Sequence, residues 1–349
     1  MGNELFTRIY GSLAGLAIGD ALGFPVHDMP KEEIQKRYGG LVDRMLPAFE
    51  DDFIHVGYKA GQVTDDTILS LVTADILLQT NGNPAIDDVV KSMGSWAAEN
   101  EALWSQGEVF GDTTKASFKR IVDCDASGEV WKPDLVRGYA TVGSSNGAVM
   151  RISPAGMANP GKPERACEIV FPLIFPTHRT DVAISAACGQ AAAVAEALRG
   201  GASIISIAQA AIKGAEYGER IGREKAYIIP SASVARRIEL AVELAEKKSD
   251  PLEAAFLIED LIGSYLPAAE TLPAVIGVFY ACKGDPMLAM QIGASMGGDT
   301  DTVASAVGAI AGAFKGIENI SQEMLNFVEK VNNLELEKYA RRLTDLATR

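Results

Sequence analysis

Two short acidic segments carry the residues whose types and spacing could bind a metal ion. The first is "GQVTDDTILSL" (61–71), and the second is "MGGDTDTVAS" (296–305). Each segment places two aspartates and two threonines within a few residues, at the start of an apolar helical pattern. Carboxylates this close to one another repel, so a cation or a set of hydrogen-bond donors must hold them in place.

Helix capping is the simpler interpretation of both segments. Thr or Asp at a helix start accepts hydrogen bonds from free backbone N–H groups and complements the helix dipole. Thr64 stands at such a position, with Asp65 and Asp66 in the first turn. In the second segment, Asp301 or Thr302 could cap a helix that begins at 303. Capping uses one polar residue at each helix start, however, and both segments carry three or more.

Metal binding is the sharper hypothesis. If the two segments meet in the fold, one small volume holds the carboxylates of Asp65, Asp66, Asp299 and Asp301. Two unit charges about 5 Å apart cost roughly 3 kcal/mol at an effective dielectric of about 20, and four charges make about six such pairs. Two divalent cations would offset the four negative charges. An oxygen-only set of Asp and Thr suits Mg²⁺ or Mn²⁺ better than zinc.

Helical periodicity runs through most of the chain and predicts an all-α fold. The predicted helices cover 5–18, 64–78, 182–198, 203–217, 232–247, 251–263, 303–314 and 321–347. The stretches predicted to be irregular are 24–62, 105–115, 124–163 and 218–231. None of these has the composition of a linker, so we expect one all-α domain over 1–349, with functional loops between its helices.

Composition and charge narrow the function classes. The net charge of −14 argues against a nucleic-acid surface, which would need a basic patch or stripe. No uninterrupted run of about eighteen apolar residues is present, and the first residues lack the pattern of a signal peptide. The four cysteines are far apart and form no metal-binding or redox pair. We therefore expect a cytoplasmic protein that binds no nucleic acid and no membrane.

The motifs together resemble the ADP-ribosylglycohydrolase family over residues 3–316. The segments that carry the resemblance, in the family's order, are "GSLAGLAIGDALGFPVH" (11–27), "GQVTDDT" (61–67), "FGDTTKAS" (110–117), "SNGAVMRISPAG" (145–156), "THRTDVAISAA" (177–187) and "GGDTDTVASAVGAIAGA" (297–313). The resemblance implies a compact, orthogonal all-α bundle and a site for two Mg²⁺ or Mn²⁺ ions at the base of a cleft. The activity that it implies is hydrolysis of a ribosyl glycosidic bond.

The resemblance also implies roles for individual residues. The implied metal ligands are Thr64, Asp65, Asp66, Asp299, Asp301 and Thr302. The expected catalytic residues are the carboxylates of Asp66 and Asp301 and the imidazole of His27. Asp20 is expected to be a buried organiser of the site. The implied substrate-binding residues are Gly143, Ser144, Ser145, Asn146, Gly147, His178, Thr113 and Thr114. The loop of these that spans 143–147 would surround the phosphates and ribose of the substrate, although it could also be an ordinary turn. His178 could equally be a helix cap or a core residue.

His27 departs from the family pattern. The family commonly reads "GDALGAPVE", whereas this chain reads "GDALGFPVHD" (19–28) and has a histidine where the glutamate stands. We expect His27 to face the cleft, where it could protonate a leaving group, with Asp28 as the fallback carboxylate. Alternatively, His27 only packs in its turn, and Glu50, Asp51 or Asp52 replaces the glutamate.

The leading interpretation is a metal-dependent hydrolase that removes ADP-ribose from a conjugated side chain, with an ADP-ribosylated protein as one form of that substrate. A small ribosyl metabolite or nucleoside is the alternative substrate, which His27 favours over protein-linked ADP-ribose. Two other classes are a non-catalytic ADP-ribose-binding or structural relative, and an isoprenoid diphosphate synthase. The synthases place their acidic clusters inside long helices with basic residues nearby. Here the clusters lie at helix starts beside glycines.

Overall fold

The computed structural model describes residues 2–51, 55–105, 109–133 and 143–349, and all of its regular structure is helical. The α-helices in these ranges are α1 (Gly2–Gly23), α2 (Lys31–Tyr38), α3 (Asp65–Gln79), α4 (Ile86–Glu99), α5 (Glu101–Ser105), α6 (Asp112–Ser127), α7 (Gly147–Met150), α8 (Ser153–Met157), α9 (Pro163–Glu168), α10 (Val170–Ile174), α11 (Asp181–Ala197), α12 (Ile204–Lys225), α13 (Val234–Glu246), α14 (Pro251–Ile262), α15 (Ala268–Ala281), α16 (Pro286–Ser295), α17 (Thr300–Lys315), α18 (Gln322–Asn332) and α19 (Leu336–Ala347). Short 3₁₀-helices cover Phe24–Val26 and Ile317–Asn319. The all-α prediction is confirmed.

Two neighbouring apolar clusters form the core. One cluster lies around α1, α17 and the helices from α13 to α16, and the other joins α3, α4 and α6 to the segment from α8 to α11. Helix α11 is buried along its whole length and contributes to both clusters. The two clusters therefore meet along α11, with the N-terminal ends of α3 and α17 held between them.

Helices α1 and α17 pack together through glycines. A Cβ atom on Gly15 would lie 2.2 Å from the carbonyl oxygen of Gly308, and one on Gly312 would lie 2.0 Å from that of Gly11. Backbone approaches this close leave no room for any side chain. The sequence pattern of small residues on both helices thus fixes the distance between Asp20, near the end of α1, and the acidic start of α17.

The sequence predicted most of the long helices. Two helix ends were predicted wrongly, one because of a glycine and one because of an asparagine. The stretch 218–231 is not irregular throughout, because α12 continues to Lys225. Gly218 looks like a helix breaker, but its missing side chain lets α12 approach α11, where a Cβ would lie 2.6 Å from the Ile184 carbonyl oxygen. The single helix predicted over 321–347 is also wrong. Instead, α18 ends at Asn332, because the next residue, Asn333, adopts a left-handed φ of 53° that asparagine tolerates. Helix α19 then begins separately at Leu336.

Several helices lie outside the predicted ones. Helices α2, α7 and α8 occur within stretches that were predicted to be irregular, and α4, α6, α15 and α16 were not predicted. Helix α16 leads into the acidic start of α17, and α15 contains Pro273 in its interior. The prediction of one domain over 1–349 remains a prediction.

One segment of the described chain, Glu4–Val26, is long and apolar enough to cross a membrane. The apolar window of this segment is 94% buried inside the protein, where α1 packs against α17. Its hydropathy is therefore accounted for by a place in the core.

Replacing Gly15 tests the close packing of α1 on α17. Gly15→Ala should lower the free energy of unfolding by about 3 kcal/mol, because the new methyl group meets backbone that cannot move aside. Gly200→Ala is the matched control, since a Cβ there meets nothing within 4 Å. Urea unfolding of both variants measures the difference. Equal stability of the two variants would contradict the packing described here.

Candidate metal and substrate site

The two acidic segments meet at the N-terminal ends of α3 and α17. Thr64 caps α3, and its hydroxyl accepts a hydrogen bond from the backbone N–H of Asp66. Asp299 precedes α17 but makes no side-chain capping hydrogen bond. Gly297 and Gly298 have φ of 89° and 78°, a region that favours glycine, and turn the chain into this helix start. Capping therefore explains Thr64 and leaves the aspartates of α17 without a capping role.

All six residues predicted to bind metal are buried at this junction. The hydroxyl of Thr302 donates to Asp66 Oδ2 at 3.3 Å, which links the two segments directly. Thr64 Oγ1 lies 3.4 Å from the same oxygen. The six residues are Thr64, Asp65, Asp66, Asp299, Asp301 and Thr302, and none is more than 6% exposed. The structure thus brings together the set that the sequence indicated.

His27 contacts the aspartates of α17. Its Nδ1 lies 2.7 Å from Asp301 Oδ1 and 3.3 Å from Asp299 Oδ1, and its Nε2 lies 3.5 Å from Asp28 Oδ1. The backbone N–H of Asp28 donates to the Gly298 carbonyl, which fixes the loop after the first 3₁₀-helix against the start of α17. The imidazole therefore faces the acidic cluster and is the positive group nearest to it.

Burial and mutual repulsion shift the pKa values of these carboxyl groups. Burial, followed by repulsion from Asp301, raises the pKa of Asp65 and Asp66 well above the usual range. Burial also raises the pKa of Asp301 to about 7, although the nearby His27 acts to lower it. Burial opposes ionisation of Asp299 too, but there His27 outweighs it and the pKa falls. The same two aspartates overcome the effect of burial on His27 and raise its pKa.

The residues present fit a site for hard divalent cations. The donor atoms are carboxylate and hydroxyl oxygens, which Mg²⁺ and Mn²⁺ prefer. Among the described residues, none donates a hydrogen bond to the buried Asp66 Oδ1, and Asp299 Oδ1 has the contact with His27 in place of a hydrogen-bond donor. Ligand atoms of His27, Asp299 and Asp301 lie within 4.8 Å of one another, close enough to share one ion. Such buried oxygens require a positive partner that the protein itself supplies only in part.

Asp20 holds the start of α3 in place. Its fully buried carboxylate accepts hydrogen bonds from the backbone N–H groups of Thr64 and Thr67 and from the Thr67 hydroxyl. Burial raises the pKa of Asp20 to about 6, and the hydrogen bonds from the two threonines limit the rise. This geometry suits the organising role predicted for Asp20. Thr67, which the sequence reading did not single out, was visible as the last residue of "TDDT".

The loop at 143–147 reaches the acidic cluster through Asn146. Its side-chain amide donates to Asp299 Oδ2 at 2.5 Å, and its backbone N–H donates to the Leu266 carbonyl. The Ser145 hydroxyl lies 3.0 Å from Nε2 of His178, which is fully buried. Gly143 is tied to the start of α11, because its carbonyl accepts from the Thr180 hydroxyl. The loop, His178 and the acidic cluster therefore form one connected region.

The threonines predicted on α6 stand apart from this region. Thr114 is buried and Thr113 is half-buried, but within the described ranges no hydrogen bond joins either hydroxyl to the acidic residues or to the 143–147 loop. The contact is made by Gly111, whose backbone hydrogen bond to Asp65 lowers the pKa of that carboxyl group. A contact made by a backbone N–H group does not depend on the type of residue. The sequence therefore pointed to Gly111 only as part of the motif at 110–117.

Glu50 and Asp51, two of the three residues that could replace the family's glutamate, do not reach the acidic cluster. Glu50 is exposed, and Asp51 pairs with Arg37 at 2.7 Å. Asp52 lies outside the described residues. His55, which the sequence reading missed, is buried with its ring 5.8 Å from that of His27 and 4.6 Å from that of Phe24. The sequence feature that could have pointed to His55 is the small number of histidines, since the chain has three.

Ser264 is a second residue that the sequence reading missed. Its carbonyl accepts from the Asp299 backbone N–H, and its hydroxyl donates to the Gly297 carbonyl. These contacts pin the glycine turn that orients the aspartates of α17. The Gly-Ser pair after α14 indicated a turn, but only the fold shows which segment this turn contacts.

Comparisons with known proteins identify the family. A sequence model described as ADP-ribosylglycohydrolase matches residues 1–349, so the chain belongs to that family. It is 29% identical to the uncharacterized protein YegU of Escherichia coli over 95% of both chains. It is 25% identical to the ADP-ribosyl-[dinitrogen reductase] glycohydrolase of Rhodospirillum rubrum over 99% of this chain and 96% of that protein.

A solved structure supports the fold. The chain matches a structure titled "ADP-ribosylglycohydrolase-related protein complex" with a TM-score of 0.64 and 23% identity, over 99% of both chains. The family membership makes the chain a glycosidic-bond hydrolase, and the acidic group at the helix ends is its candidate metal site.

Divalent cations should stabilise the folded protein. Mg²⁺ or Mn²⁺ at a hundredfold excess over Kd should add about 2.7 kcal/mol to the free energy of unfolding. The carboxyl groups with raised pKa must lose protons to bind metal, so binding should release protons and weaken as the pH falls. Thermal melting with metal or EDTA, and calorimetry in buffers of different ionisation enthalpy, measure both effects. Absence of any cation effect on the melting temperature would contradict the metal site.

Proposed function

We propose that the chain removes ADP-ribose from a conjugated side chain, using two Mg²⁺ or Mn²⁺ ions. The observation that carries this proposal is the convergence of four buried aspartates at the ends of α3 and α17, beside the 143–147 loop. The proposed ligands of the two ions are Thr64, Asp65, Asp66, Asp299, Asp301 and Thr302.

Charge balance supports two ions rather than one. Four ionised aspartates carry four negative charges in a space from which water is largely excluded. Burial and repulsion from the neighbouring carboxylates, Asp301 first, raise the pKa values of Asp65 and Asp66 well above the usual range. Two divalent cations match the charge and would return all four groups to the ionised state. Bound there, they would supply Lewis-acid polarisation and lower the pKa of water.

The protein's own groups position the reaction. Asp66 Oδ1 and the Asp301 carboxylate are available to accept hydrogen bonds from the attacking water and orient it toward the anomeric carbon. The carboxylates of the cluster would stabilise positive charge as it develops at that carbon in an oxocarbenium-like transition state. Asn146 spans from the 143–147 loop to Asp299, so the loop that binds the substrate is held in register with the cluster.

His27 is placed to act on the leaving group. Its side chain is partly exposed, and it lies between the buried aspartates and Asp28 at the edge of the cluster. An imidazole there can donate a proton as the glycosidic bond breaks, and despite its burial the pKa that Asp301 and Asp299 raise keeps His27 protonated at neutral pH. A leaving group that needs protonation therefore matches His27 better than one that departs unaided.

A small ribosyl metabolite is the second candidate substrate. The observation that favours it is His27 itself, because a histidine replaces the carboxylate that the family commonly has at this position. We further propose a cytoplasmic location, which suits four cysteines that are free thiols. The proposed partners are the ADP-ribosyl or ribosyl substrate and, where it is protein-linked, the ADP-ribosylated protein, with no nucleic acid and no membrane.

Asp301→Asn separates catalysis from helix capping. Asparagine is a good N-cap residue, so a capping role predicts almost unchanged turnover. A catalytic role predicts that hydrolysis falls by roughly a hundredfold or more. The metal-free variant should be at least as stable as the wild type, because repulsion is relieved. Asp250→Asn is the matched control, since Asp250 caps α14 far from the cluster. Turnover by Asp301→Asn equal to that of the control would remove the assigned role.

His27→Glu tests the effect of the histidine on substrate choice. The variant restores the family's carboxylate, so it should gain about tenfold or more on ADP-ribosyl-arginine or ADP-ribosyl-serine relative to the wild type. The control is His27→Gln, which has a neutral side chain of the same length as glutamate. Release of free ribose and of ADP-ribose is measured for each conjugate and for simple nucleosides. Efficient cleavage of a conjugate by the wild type, with no gain in His27→Glu, would contradict this assignment.

A further inference from the structure

Arg151 is a buried cation without a carboxylate partner in the described part of the chain. It follows α7 directly and is 1% exposed. Its Nη2 donates to the Leu173 carbonyl at 3.1 Å and to Thr177 Oγ1 at 2.7 Å, while Nη1 finds no acceptor among the residues that the structure describes. Burial lowers the pKa of Arg151 to about 9, so it remains charged at neutral pH. A buried charge whose described partners are all neutral is costly, and an anionic group on a bound substrate would offset part of that cost.

A chain of hydrogen bonds leads from Arg151 to the 143–147 loop. Thr177 Oγ1 lies 2.9 Å from Nδ1 of His178, and Nε2 of His178 lies 3.0 Å from the Ser145 hydroxyl. The chain can form because Gly147 has no side chain: a Cβ there would lie 2.8 Å from His178 Nε2. Ser145 is partly exposed, whereas the other three groups are buried. The buried cation is thus connected to a surface hydroxyl of the substrate loop.

The surroundings of Thr177 set the direction of these hydrogen bonds. The Thr177 hydroxyl lies 3.2 Å from the Ile174 carbonyl oxygen and 2.9 Å from Nδ1 of His178, so two acceptors compete for its proton. The Ile174 carbonyl already accepts from the backbone N–H groups of Thr177 and His178, which favours Nδ1 of His178 as the acceptor. The Thr177 oxygen is occupied by the Arg151 donor, which leaves its proton free to point at Nδ1 of His178. A lone pair on Nδ1 facing the cationic side is also electrostatically favoured over an N–H.

His178 is neutral in this position. Burial lowers its pKa to about 3, and the nearby charges of Arg151 and Arg179 act in the same direction. The ring then carries a single proton, on Nε2, which is donated to Ser145 Oγ. The Ser145 hydroxyl cannot return its own proton to His178 and is directed away from it. A serine activated by a basic histidine is therefore absent from this triplet, despite its Ser–His geometry.

We infer that Arg151, Thr177 and His178 form a one-way donor relay that makes Ser145 a hydrogen-bond donor to a phosphate oxygen of the substrate. This inference rests on the proposed function, because it takes the diphosphate of an ADP-ribosyl group as the anionic group that offsets the charge of Arg151. Arg151 and Thr177 are positioning residues that act through His178 and Ser145. The relay selects ribosyl compounds that carry phosphate over neutral nucleosides, and so distinguishes the two candidate substrate classes.

The tautomer of His178 tests the relay without any substrate. The chain has three histidines, so nitrogen NMR shifts of the rings can be assigned with single His variants. In the wild type, His178 should be protonated on Nε2. Thr177→Val keeps the shape but removes the hydroxyl, so the Nε2–H state should no longer be fixed, and Thr177→Ser should restore it. A wild-type His178 protonated on Nδ1, or one unaffected by Thr177→Val, overturns the relay.

Binding measurements test what the relay recognises. Thr177→Val should weaken ADP-ribose binding about tenfold, as expected for a hydrogen bond to a charged group, and should change adenosine binding by less than about twofold. Arg151→Met should act in the same way, and Thr177→Ser should recover most of the affinity. Thr344→Val is the matched control, because Thr344 is a buried threonine whose hydroxyl donates to the Ala340 carbonyl within α19.

The experiments distinguish a failure of the relay from a failure of the proposed function. Equal losses for ADP-ribose and adenosine, or none for either, overturn the selection of phosphate even if the tautomer is as stated. A wild-type protein that binds no ADP-ribose at all fails the proposed function, while the histidine shifts still decide the direction of the relay. Loss of folding in Arg151→Met, judged by circular dichroism, leaves the threonine pair as the deciding variants.

Discussion

Four buried aspartates share the space between the N-terminal ends of α3 and α17, and their mutual repulsion is the constraint that the surrounding structure must satisfy. Helix N-termini offer a partly positive environment, but they cannot balance this much charge. The neighbouring groups supply the rest. His27 lies against Asp301, and the Asn146 amide donates to Asp299. What these groups leave unbalanced defines the place for divalent cations.

The packing of the helices explains how such a cluster is held. The glycine contacts between α1 and α17 set the position of Asp20, whose carboxylate in turn fixes the first residues of α3. The Ser264 turn fixes the start of α17 from the other side. Each helix end is therefore anchored by backbone hydrogen bonds, so the repelling carboxylates cannot relax by moving apart. The rigidity that keeps them together also prepares the site for cations.

Two cations belonging to the protein flank the candidate substrate loop, and they differ in kind. His27 is partly exposed and touches the acidic cluster directly. Arg151 is deeply buried and reaches the loop only through Thr177 and His178. The first stands where bond cleavage would take place, and the second faces the part of the loop assigned to phosphate. Of the two, only Arg151 lies on the side of the loop assigned to the negatively charged phosphates of an ADP-ribosyl group.

The sequence by itself determined the helical fold, the two acidic segments, the loop at 143–147 and the unusual histidine, because each appears as local periodicity or as a compact group of residue types. It also led to the correct family, since six motifs occur in order along one chain. Local patterns mislead where a residue has two uses: Gly218 looks like a break but permits close packing, and Asn333 ends a helix that its neighbours would continue.

Only the tertiary structure decided which groups meet. The Gly111 and Ser264 backbone contacts, the contact of His27 with Asp301, and the path from Arg151 to Ser145 join residues far apart in the chain or act through main-chain atoms. Residue types do not record such contacts, because every residue carries the same backbone groups and a side chain's partner depends on how the helices pack.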